Sequence, residues 1–105
     1  MRLKMNDGTV VQVGVRYGEE TLPLRNPAPV PHKKTEVKLT VRDEADEILA
    51  EYVGVSYCAP QDKYEAVSGR RLAMRRAFDQ DVAGVLTKDR RKAVAKHVIG
   101  KIFVG

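Results

Sequence analysis

Apolar and polar residues alternate along much of the first half of the chain, as they do in β-strands that bury one face. Near the N-terminus this alternation is interrupted once, at Asn6-Asp7-Gly8. Asn, Asp and Gly tolerate the positive φ angles that a tight hairpin turn requires. The pattern therefore predicts a first β-hairpin over residues 1–17.

The same alternation returns at residues 35–42, where Val37, Leu39 and Val41 fall on one face. A polar turn separates this stretch from residues 47–57, which are rich in β-branched and aromatic side chains. We predict a second hairpin here, and hence an antiparallel sheet of about four strands.

Prolines are concentrated between the two hairpins, at Pro23, Pro27, Pro29 and Pro31. Proline cannot donate a hydrogen bond to a sheet ladder, and it biases the preceding residue toward extended geometry. We interpret residues 18–34 as a Pro-rich connection within one domain, because the segment before it is too short to fold alone.

A first helix is predicted after residue 60. Asp62 and Glu65 have the spacing of a capping box, in which each side chain satisfies a backbone N–H at the start of the helix. The helical pattern continues to Phe78 or Asp79.

Small residues recur at steps of four within this helix, at Gly69, Ala73 and Ala77. This spacing places them on one face, where they allow another backbone to approach closely. A glycine inside a helix costs about 1 kcal/mol relative to alanine. We therefore expect a packing partner for this face, either the sheet or the second helix.

A second helix is predicted from Thr87 or Asp89 to about Val98, with Gly100 as its stop. Strands followed by helices are typical of the α+β class. We therefore predict a single domain over residues 1–105, with both C-terminal helices packed on one face of the sheet. Residues 61–99 form its basic helical part.

Charge is distributed unevenly along the chain. Residues 1–60 contain eight Lys and Arg against nine Asp and Glu, whereas residues 61–105 contain eleven against five. The whole net charge of +5 therefore comes from the helical part, which favours a negatively charged partner. Cys58 is the only cysteine, so no internal disulfide can form. The sequence has neither a membrane-spanning apolar run nor a secretion signal, so we expect a cytoplasmic protein without membrane contact.

Nucleic acid, either DNA or RNA, is the partner that the charge pattern favours, since Lys and Arg gain affinity by displacing counterions from phosphates. On the first helix, Arg70, Arg71 and Arg75 are expected to lie away from the small-residue face. Arg76 lies near that face, where we expect it to be either semi-buried or paired, for example with an acidic side chain of the sheet. The second helix adds five basic candidates, namely Lys88, Arg90, Arg91, Lys92 and Lys96.

The first helix also carries a motif. It reads Asp62-x-Tyr64-x-x-x-x-Gly69-Arg70-Arg71-Leu72-Ala73-x-x-Arg76-Ala77 and is entered through Cys58-Ala59-Pro60. It resembles a segment of small, mostly uncharacterised bacteriophage proteins, which share an Asp-x-aromatic start, a Gly-Arg-Lys/Arg-Ile-Ala helix and a short N-terminal hairpin. The similarity covers about residues 47–95, more weakly residues 1–17, and excludes the proline segment. The resemblance implies a phage accessory protein acting in the bacterial cytoplasm, and it implies no activity.

Two other functions compete with nucleic-acid binding. The same helices or the proline segment could bind a host protein with an acidic surface, as an inhibitor of a defence or transcription complex would. A remote alternative is a metal-dependent nuclease, in which Glu36 and Lys38 share a strand face and Asp7 supplies a second carboxylate.

We predict a protein that is not an enzyme, with no catalytic residues and no cofactor. His32 and His97 are far apart in the sequence, and we expect neither to bind a metal. An edge strand could pair with a second copy, so a homodimer stays open as an alternative.

Overall fold

The computed structural model describes residues 1–22, 30–58 and 65–100. The chain forms four strands followed by two helices, which confirms the predicted α+β architecture. These elements are β1 (Arg2–Lys4), β2 (Val10–Leu22), β3 (Val30–Arg42), β4 (Ile48–Cys58), α1 (Ala66–Asp79) and α2 (Lys88–Val98).

The four strands form one antiparallel sheet in the order β1-β2-β3-β4. Gly8 takes a positive φ of 87° in the turn before β2, as the sequence of the first turn predicted. In the turn before β4 it is Asp46 that has a positive φ, of 66°. Both predicted hairpins are therefore present, and the pairing of β2 with β3 joins them into one sheet.

The predicted connection at residues 18–34 was too wide, because β2 continues to Leu22 and β3 begins at Val30. Pro31 lies within β3, opposite Thr21. Beyond Lys33, the last β3 residue paired with β4, the described residues place only β2 beside β3. A strand with one free side accommodates a proline whose missing N–H faces that side. The other three prolines of this segment lie outside the described residues.

The core lies between the sheet and the two helices. Its sheet side is made by Val11 and Val13 of β2 with Val37, Leu39 and Val41 of β3, all of them buried. The helical side is contributed by α1, the following loop and α2, through Ala73, Met74, Ala77, Leu86, Val94 and Val98. Both helices therefore pack on one face of the sheet, as predicted.

The two helices begin differently. Helix α1 begins at Ala66, with Glu65 as its N-cap and no side-chain capping bond, so the predicted capping box is wrong. The Glu65 carboxylate instead accepts a bond from Ser68 Oγ, and Asp62 lies outside the described residues. Helix α2 begins as predicted, with Thr87 as N-cap accepting a bond from the backbone N–H of Arg90.

Helix α1 packs closely against the sheet through its small residues. A Cβ added to Gly54 of β4 would overlap the Ala73 carbonyl oxygen and lie 2.5 Å from the Ala77 nitrogen. A Cβ on Gly69 would lie 2.8 Å from Thr35 Oγ1. Ser56 Oγ donates a 2.7 Å hydrogen bond to the Gly69 carbonyl. The partner of the small-residue face is therefore the sheet.

We expect Gly54→Ala to destabilise the protein, because the new methyl group meets helix backbone that cannot rotate away. Overpacking of this kind typically costs about 1–3 kcal/mol, sometimes more. The free energy of unfolding, measured by urea denaturation, tests this expectation. Gly14→Ala is the matched control, since a Cβ at Gly14 meets nothing within 4 Å. Equal stability of the two variants would contradict the close approach.

Candidate nucleic-acid interface

The predicted basic residues fall into two groups. Five side chains are exposed on the outer sides of the helices, at Arg71, Arg75, Lys88, Lys92 and Lys96, and we call them the basic surface. The other three predicted residues, Arg70, Arg90 and Arg91, make contacts within the fold.

Arg90 ties α2 to the turn between β1 and β2. Its side chain is only 11% exposed. Its guanidinium donates to the Val85 carbonyl, to Thr9 Oγ1 at 3.1 Å and to Asp7 Oδ2 at 3.2 Å. Arg90 was predicted as a binding residue, but these bonds commit it to holding the fold together.

Arg70 turns toward the sheet. It is half-buried, it donates to the Tyr17 hydroxyl of β2, and its guanidinium carbon lies 6.0 Å from the centre of the Tyr17 ring. The prediction placed Arg70 with Arg71 and Arg75, away from the packing face. Arg70 points toward the sheet, unlike Arg71 and Arg75, because β2 is long enough to place Tyr17 beneath Arg70.

Arg76 and Gln80 cover the outer edge of the sheet. Arg76 donates a 2.7 Å hydrogen bond to the Val55 carbonyl of β4. A backbone partner for Arg76 was not predicted. One turn further along α1, the Gln80 side-chain amide bonds both the N–H and the carbonyl of Val53. An edge strand presents unpaired backbone groups to other strands, and these two side chains occupy part of that edge.

Asp81 organises the loop between the helices. Its carboxylate is fully buried. It accepts hydrogen bonds from the Tyr52 hydroxyl at 2.7 Å and from the backbone N–H groups of Val85 and Leu86 at 2.9 and 2.8 Å. Arg91 Nη2 lies 3.6 Å away. Four donor groups from β4, the loop and α2 thus converge on one side chain.

The environment of Asp81 favours its ionised form. Burial by itself raises the pKa of Asp81. The bonds from Tyr52, Leu86 and Val85, with the charge of Arg91, outweigh burial and hold the pKa below its ordinary value. The sequence pattern did not reveal this residue, because a polar residue in a loop normally lies at the surface.

A groove runs between the two helices. It has a volume of about 480 Å³ and is lined by Phe78, Leu86, Lys88, Arg91, Lys92 and Ala95, and we call it the interhelical groove. Its apolar lining comes from Phe78 of α1, Leu86 of the loop and Ala95 of α2. Its cations come from the first two turns of α2.

Arg91 is held in place inside this groove. Its guanidinium carbon lies 5.5 Å from the centre of the Phe78 ring, and its Nε donates a 3.0 Å bond to the Leu86 carbonyl. Arg71, Arg75 and Phe78 follow one another at steps of four and three residues, so they lie on the same side of α1. The cations that line the groove come from α2, and Arg71 and Arg75 lie outside this lining, on the side of α1 that carries Phe78.

The residues of the nuclease alternative do not come together. Glu36 and Lys38 lie on the face of the sheet opposite the helices, where Lys38 Nζ is 3.4 Å from the Glu51 carboxylate. Asp7 lies in the first turn and bonds Thr9 and Arg90. Glu36 pairs with Arg16, six residues along the strand from that end of the sheet, or roughly 20 Å. Within residues 1–22, 30–58 and 65–100, no group of three metal-binding side chains occurs.

No known protein family, curated protein or solved structure matches this chain. In the described part of the chain, no helix is long and apolar enough to cross a membrane.

We expect Asp81→Asn to destabilise the protein by roughly 1–3 kcal/mol at neutral pH, because an amide cannot accept all the bonds that the carboxylate accepts. A carboxylate with a depressed folded-state pKa stabilises the fold above its unfolded pKa of about 4, and this stability is lost as the pH falls through the folded pKa. The stability difference between wild type and variant should therefore shrink toward pH 3.

Urea denaturation at about pH 7, 5 and 3 measures this difference. The exposed neighbour Asp79 supplies the control variant, Asp79→Asn, which should unfold like the wild type at neutral pH. A difference between wild type and Asp81→Asn that stays constant with pH would show that Asp81 ionisation does not stabilise the fold.

Proposed function

We propose that this protein binds nucleic acid through the basic surface on either side of the interhelical groove. The observation that supports this proposal is the grouping of five exposed cations on the two helices. In the described residues, none of the five cations of the basic surface has an acidic side chain within ion-pair distance. On the opposite face, Lys38 pairs with Glu51. Arg2 and Arg42 approach Asp46 there, whereas Lys4 and Arg16 have no ion pair within the described residues.

Unpaired cations suit a phosphate backbone for a physical reason. Each Lys or Arg that contacts a phosphate releases condensed counterions, and the affinity then falls steeply with salt. A cation already paired with a carboxylate must first give up that partner. The five residues of the basic surface can contact phosphates without breaking an ion pair in the described part of the fold.

The biological setting belongs to the same proposal. The helix motif resembles segments of small bacteriophage proteins, and we place this chain among phage accessory proteins that act in the bacterial cytoplasm by binding rather than by catalysis. The buried motif residues Ala73 and Ala77 face the sheet. Part of the motif thus has a packing role, whereas Arg71 is exposed.

We expect the double variants Arg71→Gln/Arg75→Gln and Lys88→Gln/Lys92→Gln each to weaken binding by about tenfold or more at 100 mM salt. Fluorescence anisotropy with labelled DNA and RNA oligonucleotides, titrated between about 50 and 200 mM salt, measures both affinity and salt slope. Each lost phosphate contact should reduce the slope of log affinity against log salt by about 0.7–0.9.

The double variant Lys4→Gln/Arg16→Gln is the matched control, because it also removes two exposed positive charges, but from the opposite face of the sheet. It should leave the affinity within about twofold of the wild type. If the control weakens binding as much as the helix variants do, only net charge matters and the proposed surface is wrong. No binding of any oligonucleotide at 50 mM salt would overturn the function itself.

A second candidate function, binding to a host protein as an inhibitor, is favoured by apolar side chains exposed along β4. Ile48 and Leu49 are each 50% exposed, and Val53 and Tyr57 are also exposed. Capture from a nuclease-treated bacterial lysate, with Ile48→Ser as the comparison, tests this candidate. A host protein retained by the wild type and lost in this variant would favour it over nucleic-acid binding.

A further inference from the structure

We infer that the interhelical groove receives an unpaired base, so that the protein prefers single-stranded nucleic acid to a duplex. This inference rests on the proposed function, and it names the form of nucleic acid that the basic surface would bind. It is carried by the juxtaposition of an aromatic ring, an immobilised guanidinium and two lysines in one apolar groove. Neither lysine has an ion pair with another described residue.

The groove is an open, largely apolar depression of about 480 Å³ on the surface, and not an enclosed pocket. Phe78, Leu86 and Ala95 supply an apolar lining. A planar base that covers these side chains does not remove any of their atoms from a hydrogen bond with water, because the side chains are apolar. Lys88 and Lys92 line the same groove from α2.

Arg91 and Phe78 form a stacking platform before any ligand binds. The guanidinium lies over the ring at 5.5 Å, and the Leu86 carbonyl and the Asp81 carboxylate hold it there. The Arg91 side chain is still 44% exposed, so part of it is accessible to a ligand. Bases stack on aromatic rings and on guanidinium planes, and a platform that is already ordered loses little entropy on binding.

The surrounding cations can follow a single strand whose base enters the groove. Lys88 and Lys92 lie one turn apart on α2, and Arg71 and Arg75 lie one turn apart on α1, so phosphates on either side of the stacked base have cations within reach. In a duplex the bases are paired and stacked inside the helix. A base of a duplex must therefore be unpaired and flipped out before it can reach the groove. The groove therefore favours a strand that is already unpaired.

The test compares four labelled oligonucleotides of equal length by fluorescence anisotropy: single-stranded DNA, single-stranded RNA, duplex DNA, and a DNA strand whose central nucleotides are abasic. The abasic strand keeps every phosphate but offers no central base. We expect the wild type to bind intact single strands about 5- to 100-fold more tightly than the abasic strand, and more tightly than the duplex. The DNA and RNA arms show whether the 2′-hydroxyl matters.

Phe78→Leu keeps an apolar side chain in the groove and removes the ring. It should abolish most of the preference for intact single strands and leave the salt slope unchanged. Tyr57→Leu is the matched control, because it removes an exposed ring from the far side of β4, and it should keep the preference. Arg91→Lys keeps the charge but loses the planar group. It provides a second test if urea titrations show that Phe78→Leu is not stably folded.

Two results would overturn the inference and leave the proposed function standing. One is equal affinity of the wild type for intact, abasic and duplex oligonucleotides. The other is a loss of affinity in Phe78→Leu or Arg91→Lys that is the same for all four. The failure of all four to bind the wild type at low salt would remove the proposed function as well.

Discussion

The close approach of α1 to β4 is the constraint on which the rest of the structure depends. There is no room for a side chain at Gly54, between the strand and the helix. On the helix, the residues that face the sheet are equally small, namely Gly69, Ala73 and Ala77. Because backbone meets backbone there, the rotation of α1 about its own axis is fixed. That rotation buries Met74, directs Arg71 and Arg75 to solvent, and turns Phe78 toward α2. The orientation of α1 therefore determines both which residues form the apolar core and which residues are exposed at the candidate interface.

A second constraint places α2. The buried Asp81 carboxylate collects donors from β4, the interhelical loop and Arg91, while Arg90 ties α2 to the first turn of the sheet. Buried charges persist only when they are paired and hydrogen-bonded, so these contacts fix the loop as well as the helix. The basic residues of α2 thus separate into those that hold the fold, chiefly Arg90, and those such as Lys92 that are left for a partner. Arg91 belongs partly to both groups.

Local patterns predicted most of the fold and only part of the site. Alternating residues defined the strands, and the step of four from Gly69 to Ala77 indicated a tightly packed helix face. The extent of β2 and β3 was missed because prolines normally end strands. Within the described residues, β3 at Pro31 pairs only with β2, and this is a property of the sheet that the local sequence does not contain. The roles of Arg70 and Arg90 depend on Tyr17 and Asp7, which are distant in sequence. Neither the groove nor the burial of Asp81 exists until both helices have docked.

The most direct test of the interface is an NMR titration of the ¹⁵N-labelled protein with a short single-stranded oligonucleotide, because it locates the contact without altering any side chain. The backbone amides of residues around the interhelical groove, such as Arg75, Phe78, Lys88 and Lys92, should show the largest chemical-shift changes. The chemical shifts of the Arg16 and Lys38 amides, on the opposite face of the sheet, should not change. Changes centred on that opposite face, or no changes at all at low salt, would contradict a nucleic-acid interface between the helices.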